Sequence, residues 1–184
     1  MTEPAHIQVR EANVYASPED FHTIFNEGLE ELYQLSFLLT RDSAKADRCV
    51  VSGLEDCVSG NHVFREWARS WAKRAIVQNA IRELKPRPSQ SSSPLYRAKY
   101  SNVDQYSKDS GGHFEIDAVL RLADFERFVF IMSALEHYSE HDCSLLLGCS
   151  VRDIRDGRTR ALKELADSHH MEPSDNQLVV QEKK

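Results

Sequence analysis

Five cationic side chains, Arg152, Arg155, Arg158, Arg160 and Lys163, follow the break Gly148-Cys149-Ser150. Arg155 and Arg158 are three residues apart, which on a helix places them side by side. A guanidinium is planar and forked, so it can pair with phosphate oxygens or grip the O6/N7 edge of guanine through two parallel hydrogen bonds. Residues 151–165 hold these five cations against three anions (Asp153, Asp156 and Glu164), a local balance of +2 in a chain of formal net charge −6. A chain that acidic does not coat nucleic acid indiscriminately, but a local basic surface can still bind it. The competing arrangement is a solvated helix with internal ion pairs, for instance Asp156 with Arg160 at i,i+4. Gly157 costs about 1 kcal/mol of helix stability relative to Ala. It therefore needs a close packing partner or a helix that tolerates the loss. A second basic set, Arg65, Arg69 and Lys73, repeats every four residues and shares one face, either as a solvated ridge or as a nucleic-acid surface.

These side chains need helices to carry them. An apolar helix is expected through Phe125, Phe128, Val129, Met132 and Leu135, a shorter one from Ser139 to Leu147, and a basic one after the glycine turn. A short helix, a tight turn and a basic helix form the layout of a helix-turn-helix DNA reader. Upstream, Ser17-Pro18-Glu19-Asp20 is a helix start, with Ser as N-cap and Pro at the first helical position. Phe21, Ile24, Phe25, Gly28, Leu32, Leu35 and Leu39 then share a face up to about Thr40. Asp42-Ser43 opens a second helix with Ala46, Cys49, Val50, Leu54 and Cys57 inward, broken by Ser59-Gly60-Asn61. A third runs from about His62 to Leu84 with an apolar stripe of Phe64, Trp67, Ala68, Trp71 and Ala75, its tryptophans expected as core anchors.

The predicted fold is all-α, with two small helical modules at residues 17–85 and 114–168. Residues 86–113 read as a flexible Pro/Ser-rich linker, reaching roughly 25–30 Å as a coil, and residues 1–16 and 169–184 as a loose arm and a disordered tail. With 41% hydrophobic and 28% charged residues, no long apolar run and no signal-peptide pattern at Met1-Thr2-Glu3-Pro4, the expectation is a cytoplasmic protein with no membrane segment. Cys49, Cys57, Cys143 and Cys149 form no CxxC pair and read as free, packed thiols. His137, His141, Cys143 and Cys149 lack the tight ligand pairs of structural zinc, so neither a metal nor any other cofactor is expected. No P-loop, GxSxG, HExxH or catalytic constellation is present in the sequence, and no enzyme is expected.

Three stretches together resemble short bacterial sigma factors of the extracytoplasmic-function type. Leu32 to Asp42 is similar to the family's "LYRLAYRLTGD". Phe64 to Arg82 is similar to the third helix of its N-terminal module. Glu126 to Ser150 resembles "ER.VF...LEGYS..EIA.LLGCS". The resemblance implies a DNA-binding transcription initiation factor whose partners are core RNA polymerase, promoter DNA and an anti-sigma protein. The N-terminal module would read the melted minus-ten element, and the C-terminal one the minus-thirty-five element. Within the last helix "TVKSRLSRAR" lies over Asp153 to Leu162, with Arg155 on its Lys and Arg160 on its second Arg. The family's polymerase contact falls on Asp47, Arg48, Val51 and Ser52, where Arg48 replaces an acid, Val51 a Gln and Ser52 a Glu. Those replacements predict weaker polymerase binding, and the alternative is a diverged sigma-like module that binds another protein without reading promoters.

Overall fold

The computed structural model describes residues 14–60, 62–88 and 113–169, and the chain divides into two compact units, the first ending at Lys85 and the second beginning at Pro86. Every regular element among the described residues is helical, and strand pairing is limited to an isolated bridge between Tyr15 and Phe64. Residues 1–13, most of the expected linker and residues 170–184 lie outside the described residues.

The first unit holds α1 (Pro18–Glu27), α2 (Leu29–Thr40), α3 (Ser43–Ser59) and α4 (Ala68–Leu84). Their starts follow local chemistry. The Ser17 hydroxyl accepts from the Asp20 amide while the Asp20 carboxylate accepts from the Ser17 amide, a reciprocal cap that satisfies two otherwise orphaned donors. That amide contact, with the Arg65 guanidinium beside it, holds the Asp20 carboxyl below its usual range. Asp42 caps α3 through the Lys45 amide at 2.9 Å. Around these helices pack Phe21, Phe25, Leu32, Leu35, Leu39, Ala46, Cys49, Cys57, Ala72, Ile76 and Ala80, all buried.

The first expected helix is two. At Gly28 the backbone leaves helical values (φ −101, ψ 14), although its amide still bonds Ile24 and its carbonyl still receives Leu32. Glycine is the residue least committed to a helix, so the apolar face runs through the break. The expected third helix starts later than His62. The Ala16 amide bonds the Val63 carbonyl at 2.8 Å and the Arg65 amide bonds Val14 at 3.0 Å. Those backbone groups are spent on pairing with residues 14–16, which are therefore tied to the unit rather than loose. A 3-10 turn at Arg65–Trp67 follows, and α4 opens at Ala68. The face that α4 buries is Ala68, Ala72, Ala75, Ile76, Val77 and Ala80. Trp67 and Trp71 are not core anchors: they are 58% and 36% exposed. Small residues let α4 approach α3 so closely that a Cβ on Gly53 would lie 2.8 Å from Ile76 Cδ1.

The second unit holds α5 (His113–Arg121), α6 (Asp124–Phe130) with a π-helical turn (Ile131–Leu135), α7 (Glu140–Leu147) and α8 (Val151–His169). Leu122, Phe125, Phe128, Val129, Ile131, Met132, Cys143, Ile154 and Ala161 form its core. Leu135, expected inward, is 47% exposed at the end of the π turn. α8 continues past Leu165 to His169. Gly157 has its packing reason: a Cβ there would lie 2.7 Å from Phe125 Cε1 and 3.5 Å from Val129 Cγ2.

Left-handed backbone occurs at Arg41 (φ 58), Lys85 (φ 48), His137 (φ 57) and Gly148 (φ 62) among the described residues. For a side chain this region costs about 1–2 kcal/mol, and glycine escapes the cost. His137 is exposed, so His137→Gly should raise stability by about 1 kcal/mol, read as a higher urea midpoint at unchanged slope. A lower midpoint would show that the imidazole contributes more than the strain it carries.

Candidate nucleic-acid interface

The basic set of the second unit is built on a precise local frame. Ser139 caps α7 by accepting from the Asp142 amide. Gly148 ends α7 in the left-handed conformation, and its amide bonds Ser144. Ser150 then opens α8: its hydroxyl accepts from the Asp153 amide at 3.1 Å, and the Asp153 carboxylate takes both the Ser150 amide, at 3.0 Å, and the Ser150 hydroxyl, at 2.6 Å. The hydroxyl contact holds the Asp153 carboxyl below its usual range. Asp153, one of the three anions of this basic segment, therefore has a capping task. Three residues separate α7 from α8, and that short turn keeps the start of α8 exposed.

On α8, Ile154, Gly157 and Ala161 face the core, and Arg152, Arg155, Arg158 and Lys163 are exposed. Their partners differ. Arg155 Nε lies 2.7 Å from Glu140 on α7, and Arg152 lies 3.8 Å from Asp156 on its own helix. Arg160 does not pair with Asp156, as its spacing suggests. Its Nε meets Glu126 of α6 at 2.8 Å, and that glutamate is 3% exposed. Arg158 and Lys163 stand in solvent with no ion-pair partner among the described residues. The acids that engage the basic helix from α6 and α7 carry no periodic signal, because they lie 34 and 15 residues away in sequence.

The expected ridge of the first unit is also paired. Arg65 meets Asp20 at 2.8 Å, Arg69 meets Glu27 at 3.7 Å and Lys73 meets Glu31 at 2.7 Å. The spacing of four that aligns the cations thus sets them against a row of acids on α1 and α2. Exposed pairs of this kind are worth 0–1 kcal/mol each, so a phosphate can replace the acid at little cost. Beside this row is an exposed aromatic run. Tyr15 stacks on Phe64 with ring centroids 5.1 Å apart, and Phe64 meets Trp67 edge-on at 5.2 Å. Trp71 follows four residues after Trp67. Exposed rings next to guanidinium groups suit the stacking of unpaired bases. The signal was present in the sequence as aromatic residues interleaved with Arg65 and Arg69.

The residues implied to meet polymerase lie on α3 away from its buried face. Asp47 and Arg48 are exposed, Val51 is 57% exposed, and Ser52 is half-buried. Arg48 is engaged by Glu83 of α4, which raises its pKa. Next to them an open groove is lined by His22, Leu54, Glu55, Val58 and Ser59.

The four cysteines are unpaired, and Cys49, Cys57 and Cys143 are buried. Burial pushes the Cys57 thiol up to about 12 and the Cys143 thiol up to about 11, so neither is a thiolate at neutral pH. His137 lies outside α7 in a left-handed turn and His141 lies within it, so the two do not share a helix face. Among the described residues no group of three His, Cys, Asp or Glu is placed to hold a metal ion, and no helix is long and apolar enough to cross a membrane. The chain matches no protein-family model and shows no significant similarity to a curated protein.

Proposed function

We propose that the chain is a DNA-binding transcription initiation factor of the sigma type, directing core RNA polymerase to promoters. The observation that carries this reading is conformational. The family pattern has Gly in "LTGD", in "LEGYS" and in "LLGCS". Counted from the matching residues that follow them (Asp42, Tyr138-Ser139 and Cys149-Ser150), those glycines fall on Arg41, His137 and Gly148, and all three positions are left-handed here. Two of them are not glycine and still adopt the conformation that glycine favours, which supports the resemblance. Further support comes from the arrangement α7, three-residue turn, α8, the helix-turn-helix layout with its exposed cations on the second helix. In the first unit the Tyr15–Phe64–Trp67 run offers a surface for the bases of a melted strand.

A second reading is favoured by α3. Val51, exposed where the family pattern has Gln, adjoins the groove formed by Leu54 and Val58. That surface suits an apolar protein partner better than a polar polymerase contact, and the chain would then be a sigma-like interaction module that does not read promoters. Run-off transcription decides between them. Full-length chain added to core polymerase from the same source, over fragmented genomic DNA, should produce initiation at a shared upstream sequence. Initiation no different from core polymerase alone removes the initiation-factor reading.

A further inference from the structure

The cations of α8 differ in what it takes to release them. We infer that Glu126 is a positioning residue that locks Arg160 onto α6, so that Arg160 makes no DNA contact and the phosphate contacts of the proposed reader fall to Arg152, Arg158 and Lys163, with Arg155 joining when a phosphate displaces Glu140. This inference rests on the DNA-reading proposal and assigns its residues.

The Glu126 side chain is 4% exposed and that of Arg160 is 41% exposed, with Nε 2.8 Å from Oε1. The other carboxylate oxygen, Oε2, is buried with no hydrogen-bond partner. Arg160 is therefore the counter-ion recorded for a carboxylate that water does not reach. Turning Arg160 toward a phosphate would leave that charge buried and uncompensated, the costliest arrangement an ion pair can be left in. Counterion release favours a phosphate contact, but that contact does not return to Glu126 the counter-charge it would lose. The Arg155–Glu140 pair differs in kind. Its side chains are 66% and 35% exposed, so water and salt screen it and a phosphate can take the place of Glu140. Arg152 and Asp156 are looser again, at 3.8 Å with 90% and 57% exposure. The family's second Arg position, which sequence similarity marks for DNA, thus serves here to fix α8 against α6.

The test uses the full-length chain and a fluorescein-labelled duplex of mixed sequence, titrated by anisotropy across a series of salt concentrations. The double substitution Glu126→Leu with Arg160→Met removes both charges while keeping the volume, a change that buried pairs tolerate. Its salt slope should equal that of the wild type. A slope lower in magnitude by about 0.9 means Arg160 touches a phosphate and overturns the inference. Glu126→Gln, which keeps a hydrogen-bond acceptor for Arg160, guards against a double variant that does not fold. Because it removes the buried charge that holds Arg160, a slope steeper by about 0.9 supports the lock, and an unchanged slope shows that this charge is not what keeps Arg160 from DNA and overturns the inference. Glu140→Gln should tighten binding about two- to fivefold, and no tightening removes the role given to Arg155. Absence of salt-dependent binding by the wild-type chain removes the DNA-reading proposal itself, an outcome distinct from a slope change confined to the variants.

Discussion

Arg127→Ala is expected to cost the second unit about 2–5 kcal/mol, the range for truncating a long buried side chain to Ala, and so to lower its melting temperature sharply. Arg127 is fully buried, a rare position for an arginine. One terminal nitrogen donates to the Leu122 carbonyl at 2.9 Å and the other to the Asp124 carboxylate at 2.8 Å. Those bonds staple the entry of α6 to the end of α5. Truncation removes both bonds and leaves a cavity where the buried side chain was. A domain's total stability is about 5–15 kcal/mol, so a loss of this size takes much of it. Arg127→Met should cost less, since it refills the volume while still losing both bonds. Thermal unfolding by circular dichroism checks both. Tryptophan fluorescence is an internal control, because Trp67 and Trp71 both belong to the first unit. A melting curve for Arg127→Ala that overlays the wild type contradicts the staple.

The second large effect is on binding. Replacing Arg152, Arg158 and Lys163 together by Ala should lower the magnitude of the salt slope for duplex DNA by about 2.7, three phosphate contacts at about 0.9 each. The fold should hold, because all three side chains are exposed and stand away from Ile154, Gly157 and Ala161. Helix content therefore stays at the wild-type level while the anisotropy titration weakens. If the triple variant binds with undiminished slope, the charged face of α8 is not the DNA surface, and the groove and Val51 on α3 become the better guide to function.

The sequence disclosed most where a single residue has one dominant task. Ser17 was legible as a cap, and Asp42 and Ser139 as helix starts, because a short side-chain oxygen before an amphipathic run has few other uses there. Gly148 was legible as a helix stop because the left-handed turn favours glycine. What stayed hidden was set by partners distant along the chain. Alternation of large apolar residues pointed to Trp67 and Trp71 as core, yet the buried face of α4 is mostly alanine, since α3 with its Gly53 comes too near for anything larger. Nothing in the residue types of Glu126 and Arg127 marks them for burial, and both are inside. Arg65, Arg69 and Lys73 were correctly placed on one face, but the acids opposite them belong to helices whose docking no local pattern encodes. Likewise Arg41 and His137 could not be seen as left-handed from their own side chains.

Gly157 has a bearing on how the specificity of the proposed DNA reader can change. The ring of Phe125 occupies the space where a methyl group would sit, so α8 is keyed to α6 at one point, like a shaft with a single slot. Sliding the helix by one residue would drive Asp156 or Arg158 into that ring. Altered base preference therefore has to arise by exchanging the outward side chains at fixed positions, not by re-seating the helix. A selection for new binding sites that randomises residues 152 to 163 should recover glycine at 157 in nearly every functional clone, whatever sequence the clones come to prefer.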